Sequence, residues 1–239
     1  MCIRDSFLYQ ESYGSAQIRG NADLQNGYNY NIDLRYELFE KNGDMLSITA
    51  YYKHLKAPIE RVQTLSGGSA VHSFRNADNG MATGVEIEFR KEIVKDLRFG
   101  VNSSYMYTNV KLPEGGAYTN SQRALQGASP YLANADLTYS PAFSNDRQLS
   151  VALLYNLQGP RIHSVGISGL GDIKQQPVHT LNFTGSYRFN RRFAVKLQVN
   201  DLLNQDILFK QEVPTTGDKV EVERFRKGTG FEVGFSYDL

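Results

Sequence analysis

The stretch Tyr28-Asn29-Tyr30-Asn31-Ile32-Asp33-Leu34-Arg35-Tyr36-Glu37-Leu38 alternates without a break. Tyr28, Tyr30, Ile32, Leu34, Tyr36 and Leu38 share one side; Asn29, Asn31, Asp33, Arg35 and Glu37 share the other. Side chains of an extended chain point alternately to opposite faces, so this spacing predicts a strand with one apolar and one charge-bearing face. The turn Lys41-Asn42-Gly43-Asp44 follows, and its Asn-Gly pair suits the positive φ of a tight hairpin. Leu46, Ile48, Ala50 and Tyr52 then resume the pattern against Ser47, Thr49, Tyr51 and Lys53.

Working outward, the same alternation recurs about nine times. Val85, Ile87 and Phe89 oppose Glu86, Glu88 and Arg90, and Leu97, Phe99, Val101, Tyr105 and Tyr107 oppose Arg98, Asn102, Ser104 and Thr108. Tyr131 to Tyr139, Leu149 to Leu157, Leu181 to Phe189 and Phe193 to Val199 continue it. The final run sets Phe231, Val233, Phe235, Tyr237 and Leu239 against Glu232, Gly234, Ser236 and Asp238. No segment holds a 3.6-residue period, so the chain reads as all-β.

Connection lengths carry a second signal. The links near Glu40 to Asp44, Glu92 to Asp96, Ser144 to Arg147 and Asn190 to Arg192 are in the hairpin range. Those over Arg61 to Gly80, Lys111 to Ser129, Gly159 to Gln176 and Gln205 to Thr229 are far longer. Short and long alternate strictly, which is the habit of an outer-membrane barrel with short periplasmic turns and long extracellular loops.

The chain has 239 residues, 26 Lys plus Arg against 25 Asp plus Glu, one cysteine, 15 Tyr, 13 Phe and no Trp. A formal net charge of +1 argues against a nucleic-acid partner, which needs clustered positive charge. One cysteine excludes a disulfide framework. No apolar run approaches the roughly 20 residues of a membrane helix. Strands obey a different rule: one face meets lipid, the wet lumen takes the charges, and closure removes unpaired edges. Tyr28, Tyr107, Tyr131, Tyr155 and Tyr187, near strand ends, fit interfacial girdles. The fold class expected is an antiparallel up-and-down transmembrane β-barrel.

Several short motifs sharpen this. Gly20-Asn21-Ala22-Asp23-Leu24 precedes a strand; Phe74-Arg75-Asn76-Ala77 leads to Gly84-Val85-Glu86-Ile87-Glu88; Val199-Asn200-Asp201-Leu202-Leu203-Asn204 and Phe235-Ser236-Tyr237-Asp238-Leu239 close the chain. In order and spacing they resemble the C-terminal part of a TonB-dependent outer-membrane receptor barrel, over roughly residues 18–239. Ala22 stands where that family has Pro, and Leu239 where its final Phe is commoner. The resemblance implies a 22-strand barrel filled by an N-terminal plug domain that contacts TonB. About nine to ten strands and no plug are expected in residues 7–239, and Met1 to Ser6 reads as a non-native translated scar. It also implies outer-membrane lipid around the wall and a Gram-negative outer-membrane location. The barrel-assembly machinery would read the last strand through Phe231, Val233, Phe235, Tyr237 and Leu239. TonB would be reached only through the missing plug, and a surface lipoprotein is a further possible partner. The four long loops would face a large scarce nutrient of siderophore, cobalamin or glycan type.

Chemistry is otherwise sparse. His54, His72, His163 and His179 are scattered without metal spacing, and Gly166, Gly169 and Gly171 have no following helix to cradle a phosphate. Glu86 and Glu88 beside Arg90 read as a solvated ladder, and Asp78 and Asn79 as ordinary loop polarity. No enzyme, cofactor or metal is expected. Rival readings are an outer-membrane hydrolase, a complete small porin-like or adhesion barrel, and a soluble carbohydrate-binding β-sandwich.

Overall fold

The computed structural model describes residues 8–10, 17–66, 69–113, 118–141, 143 and 146–237. The alternating runs become nine long strands: β1 (Tyr28–Phe39), β2 (Met45–Lys56), β3 (Asn79–Val94), β4 (Leu97–Lys111), β5 (Tyr131–Tyr139), β6 (Gln148–Gln158), β7 (Val178–Arg188), β8 (Phe193–Asn200) and β9 (Gly230–Tyr237). Each pairs with the next in chain order, and the two-residue strand Gln122–Arg123 adds to β4. Every pairing along this path is antiparallel. Among the described residues β1 and β9 do not pair with each other, so the sheet is an up-and-down wall open at both edges, a partial barrel.

The register carries the alternation across strands. Leu38, Leu46, Phe89, Val101, Ala135, Tyr155 and Leu181 are successive cross-strand partners, as are Leu97, Tyr139, Val151, Gly185, Leu197 and Val233. One continuous apolar surface results, and it is not covered by protein: Ile32 is 74% exposed, Leu34 75% and Phe231 75%. A slip of one residue in any ladder would move a whole strand's apolar set to the charged side, so this surface fixes the register.

The turns show why these residues close them. Gly43 has φ 88° and Asp96 φ 65°, and the Asn42 Oδ1 accepts the Asp44 N–H at 3.1 Å. Asp44 also accepts the Glu92 N–H at 2.9 Å, tying the first turn to the end of β3. That backbone hydrogen bond holds the Asp44 carboxyl below its ordinary range.

The packed core lies at the other end. Val62, Ala77, Val110 and Leu112 form a buried cluster with Tyr118 and Leu125 against it, all in or beside the long connections. Ile18, Leu24, Ile162, Val165, Ile207 and Phe209 are buried there too. The long connections, legible in the sequence only by their length, carry strands of their own. The first contains the hairpin Ile59–Ser66 and Ser69–Asn76, the third the strands Arg161–Ser164 and Ile173–Gln175, the fourth the hairpin Ile207–Val213 and Asp218–Phe225. β3 also starts at Asn79, so Asn79 belongs to the wall and not to a loop. Mixed sequences such as Ile59-Glu60-Arg61-Val62 conceal strands whose partners are other loops instead of a uniform environment.

Candidate functional site

The four long connections interlock into one assembly at a single end of the wall. The first and second meet at Glu60 and Arg123, whose carboxylate and guanidinium pair at 2.9 Å with side chains only 7% and 3% exposed. Arg123 also donates to the Arg61 carbonyl at 3.4 Å, and Glu60 accepts the Gln126 N–H at 3.5 Å. Burial pushes the Glu60 pKa up against the opposing pull of Arg123.

The second and third meet through the backbone: Thr119 N–H donates to Gly166 O at 2.7 Å and Gly127 N–H to Ile162 O at 3.0 Å. Gln126 Nε2 adds a bond to the His163 carbonyl at 2.6 Å. The third and fourth share a sheet in which Ile173–Gln175 pairs with Ile207–Val213. Within the fourth, Arg226 clamps Asp206, holding that carboxyl below its ordinary range, and Arg224 binds Glu221 at 2.6 Å.

A hollow of about 630 Å³ opens between the last three connections, lined among others by Thr119, Asn120, Lys174, Lys210, Glu212 and Lys219. Lys174 stands directly opposite Lys210 in the register. Like charges placed so are unfavourable for a sheet, and Glu221 opposite Lys210 and Glu212 opposite Lys219 offset them. The hollow is therefore a mixed-charge surface with lysine ammonium groups, hydroxyl and amide donors, suited to a polar ligand rich in acceptors.

The terminal strand is the second candidate. Phe231, Val233, Phe235 and Tyr237 lie on one face of β9, paired with Val199, Leu197, Val195 and Phe193 of β8, and all four are more than half exposed. The other side of β9 carries no ladder among the described residues. Leu239 and Met1 to Ser6 lie outside the described residues.

The motifs find their structural meaning here. Asn21 Nδ2 donates to Phe74 O at 2.9 Å, and Asn76 binds Gln25 and Ala57, so the Gly20–Leu24 and Phe74–Ala77 elements are clasped together. Asp201 and Asn204 take φ 55° and 42°, where Asp and Asn are the tolerated non-glycine residues, and fold the end of β8 onto β7 through Asn182. None of these partners is readable from local spacing.

Residues 9–237 match the model of the outer membrane protein beta-barrel family. The chain belongs to this family. Solved structures agree on the fold. A point variant of the ferric enterobactin receptor of Pseudomonas aeruginosa aligns with a TM-score of 0.64 at 17% identity over 93% of this chain and 32% of that one. The ferric yersiniabactin uptake receptor of Yersinia pestis aligns at 0.62 and 17% over 89% and 30%, and the copper transporter OprC at 0.63 and 14% over 95% and 33%. The chain thus spans about a third of the length of the receptors it matches. No curated protein sequence matches it significantly.

In an outer-membrane β-barrel of this family the two faces of the sheet have assigned neighbours. The apolar face meets lipid, and many of its aromatic residues lie toward one or other end of the strands, with Phe183 at mid-strand. Tyr28, Tyr30, Tyr52, Tyr105, Tyr107, Tyr131 and Tyr155 lie toward the long connections; Tyr139, Tyr187, Phe189, Phe193 and Tyr237 lie toward the short turns. Tyr187 packs edge-on to Phe189 at 4.6 Å. Tyr155 Oη and His179 Nδ1 lie 2.6 Å apart, so that histidine partners a belt tyrosine.

The polar face lines the lumen. Asn134 Nδ2 donates to Asn102 Oδ1 at 2.6 Å and Asn156 Nδ2 to Asn134 Oδ1 at 2.5 Å, a ladder of amides over three strands. Glu88 pairs with Arg90 at 2.6 Å and Arg35 with Glu37 at 2.6 Å, the solvated ladder expected of this face. Among the described residues no group of three or more His, Cys, Asp or Glu side chains is placed to hold a metal ion, and no helix is long and apolar enough to cross a membrane.

Proposed function

We propose that this chain is the C-terminal wall and ligand-facing loops of an active-transport receptor energised through TonB, taking up a large scarce nutrient of siderophore, cobalamin or glycan type. The observation that carries the reading is the interlocked loop assembly. A diffusion pore needs a clear mouth, whereas three connections here build walls of one shared hollow holding Lys174, Lys210 and Lys219. Rigid loops on a barrel frame are where recognition is placed. The solved proteins of the same fold are, by name, receptors for ferric siderophores and a copper transporter. TonB contact and plug displacement belong to sequence beyond this chain, and no catalytic role is assigned to it. β9, whose second edge carries no ladder among the described residues and which bears four exposed apolar residues, is the surface the barrel-assembly machinery would pair with.

The test is uptake by cells carrying the natural full-length gene, its deletion, or the Lys174→Ala/Lys210→Ala variant. Ferric siderophores, cobalamin and oligosaccharides are supplied, with and without TonB. Uptake of one class that is lost on deleting either the gene or TonB supports the receptor. Passage of small solutes that ignores TonB establishes the porin-like alternative instead.

A further inference from the structure

We infer that the lipid-facing flank beneath the first two long connections is a binding site for phosphate-bearing lipid headgroups. The argument starts from parity. On β2 the outward residues are Tyr52, His54 and Lys56; on β3 they are Asn79, Met81 and Thr83; on β4 they are Tyr107, Asn109 and Lys111. Burial agrees independently: Leu55, Val110 and Leu112 turn inward and are buried, while Lys56, Tyr107 and Lys111 are exposed.

The register then lines these residues up. Lys56 is opposite Asn79, Asn79 opposite Lys111, and Lys111 opposite Gln122. Two residues nearer the middle of the sheet lie Tyr30, His54, Met81 and Asn109, and below them Ile32, Tyr52, Thr83 and Tyr107. A row of cationic and amide groups thus crowns an aromatic belt on the face that meets lipid. The two lysines sit two strands apart, about 10 Å at the usual strand spacing.

The side chains of Lys56, Asn79, Asn109, Lys111 and Gln122 make no hydrogen bond or ion pair among the described residues. Asp78 is the adjacent acid; its N–H donates to the Lys111 carbonyl at 2.9 Å, and its side chain has the opposite parity. A hollow of about 570 Å³ borders the row and shares Asn109 and Gln122 with it; its wall carries Lys174, Arg161, whose Nε donates to Gln175 Oε1 at 2.7 Å, and the acid Asp172. Two unpaired ammonium groups and several amide donors, above tyrosines that anchor at the interface, complement the charge of a phosphorylated headgroup. Long connections of such barrels are extracellular, so the headgroup belongs to the outer leaflet. The site rests on membrane placement and is independent of any imported ligand.

The experiment uses the natural full-length protein extracted from the outer membrane in mild detergent. Phosphorylated lipid retained per protein is measured by mass spectrometry for wild type, Lys56→Gln/Lys111→Gln and Lys56→Arg/Lys111→Arg. Thermal unfolding is followed in phosphatidylglycerol vesicles, in phosphatidylcholine vesicles, and in phosphatidylcholine with inorganic phosphate. At about 1 kcal/mol per basic residue near an anionic surface, the glutamine pair should bind roughly thirtyfold more weakly. The arginine pair retains the lipid, and only phosphatidylglycerol raises the unfolding temperature of the wild type. Equal lipid retention by the glutamine pair overturns the inference. Equal protection by inorganic phosphate overturns it too, since the site would then be one for a free anion.

Discussion

Asn76 and Gln25, 51 residues apart in the chain, exchange backbone and side-chain hydrogen bonds: the Gln25 N–H donates to Asn76 Oδ1 at 2.8 Å, and Asn76 Nδ2 returns to Gln25 O at 3.0 Å. The same amide reaches Ala57 O at 2.8 Å. One side chain therefore closes three backbone groups where β1 begins, β2 ends and the first long connection returns toward β3.

That arrangement makes Asn76 hard to replace. Asn76→Ala removes all three bonds, and the expected cost is about 1–3 kcal/mol, the range for leaving backbone groups without partners. Asn76→Asp keeps the acceptor for Gln25 N–H but sets a carboxylate against two carbonyls, so it should not restore stability. Urea unfolding of the barrel, read by its heat-modifiable gel mobility, separates the three proteins.

The strands were legible in the sequence because lipid, like a sheet's pleat, imposes one rule on every second residue. Leu46, Ile48 and Ala50 obey it whatever their partners are. The loops were legible only as lengths. Glu60 and Arg123 are 63 positions apart, and nothing local marks either as the other's counter-ion. The lysines of the shared hollow come together through a sheet between two connections that no short-range pattern pairs. Asn21 and Asn76 stand out in the sequence by resemblance alone; the structure supplies the hydrogen bonds that give those positions their residue types.

The Glu60–Arg123 pair should give the loop assembly a pH signature. The folded Glu60 pKa is raised by burial, so the folded state holds its proton to higher pH than the unfolded chain, whose value is near 4.5. Its contribution is therefore most favourable below the unfolded value and is lost as pH rises through the raised folded value. Glu60→Gln should flatten that part of the stability curve. Arg123→Met leaves a buried carboxylate without its cation, should cost about 3–5 kcal/mol at neutral pH, and should steepen the same dependence. Protease resistance of the loops across weakly acidic pH is the readout.

Gly100 and Asp136 predict a coupling inside the lumen. They are direct register partners, and a Cβ on Gly100 would run into Asp136 Oδ1. Gly100→Ala makes the Asp136 carboxylate, the free end of a lumen-facing side chain, swing aside, so the cost should be about 1 kcal/mol. Asp136→Ser removes the obstructing group, so Gly100→Ala should be much milder in that background. Purely additive costs in the double-mutant cycle would refute the contact as the cause.

Leu153 and Leu154 offer the sharpest test of which face meets lipid. They are consecutive, chemically identical, and 41% and 42% exposed, so exposure cannot tell them apart. Register can. Leu153 pairs with Leu137 and Phe183 in the apolar surface, and Leu154 with Asp136 and Asn182 on the polar one. A lysine on the lipid face near mid-depth costs about 2–4 kcal/mol, whereas lumen positions accept charge. Leu153→Lys should therefore lose about that much stability in vesicles. Leu154→Lys, placed beside the Asp136 carboxylate and in water, should stay within about 1 kcal/mol of wild type. Equal losses at the two positions would mean that both faces are buried by protein, as in a sandwich, and would reverse the assignment of lipid and lumen together.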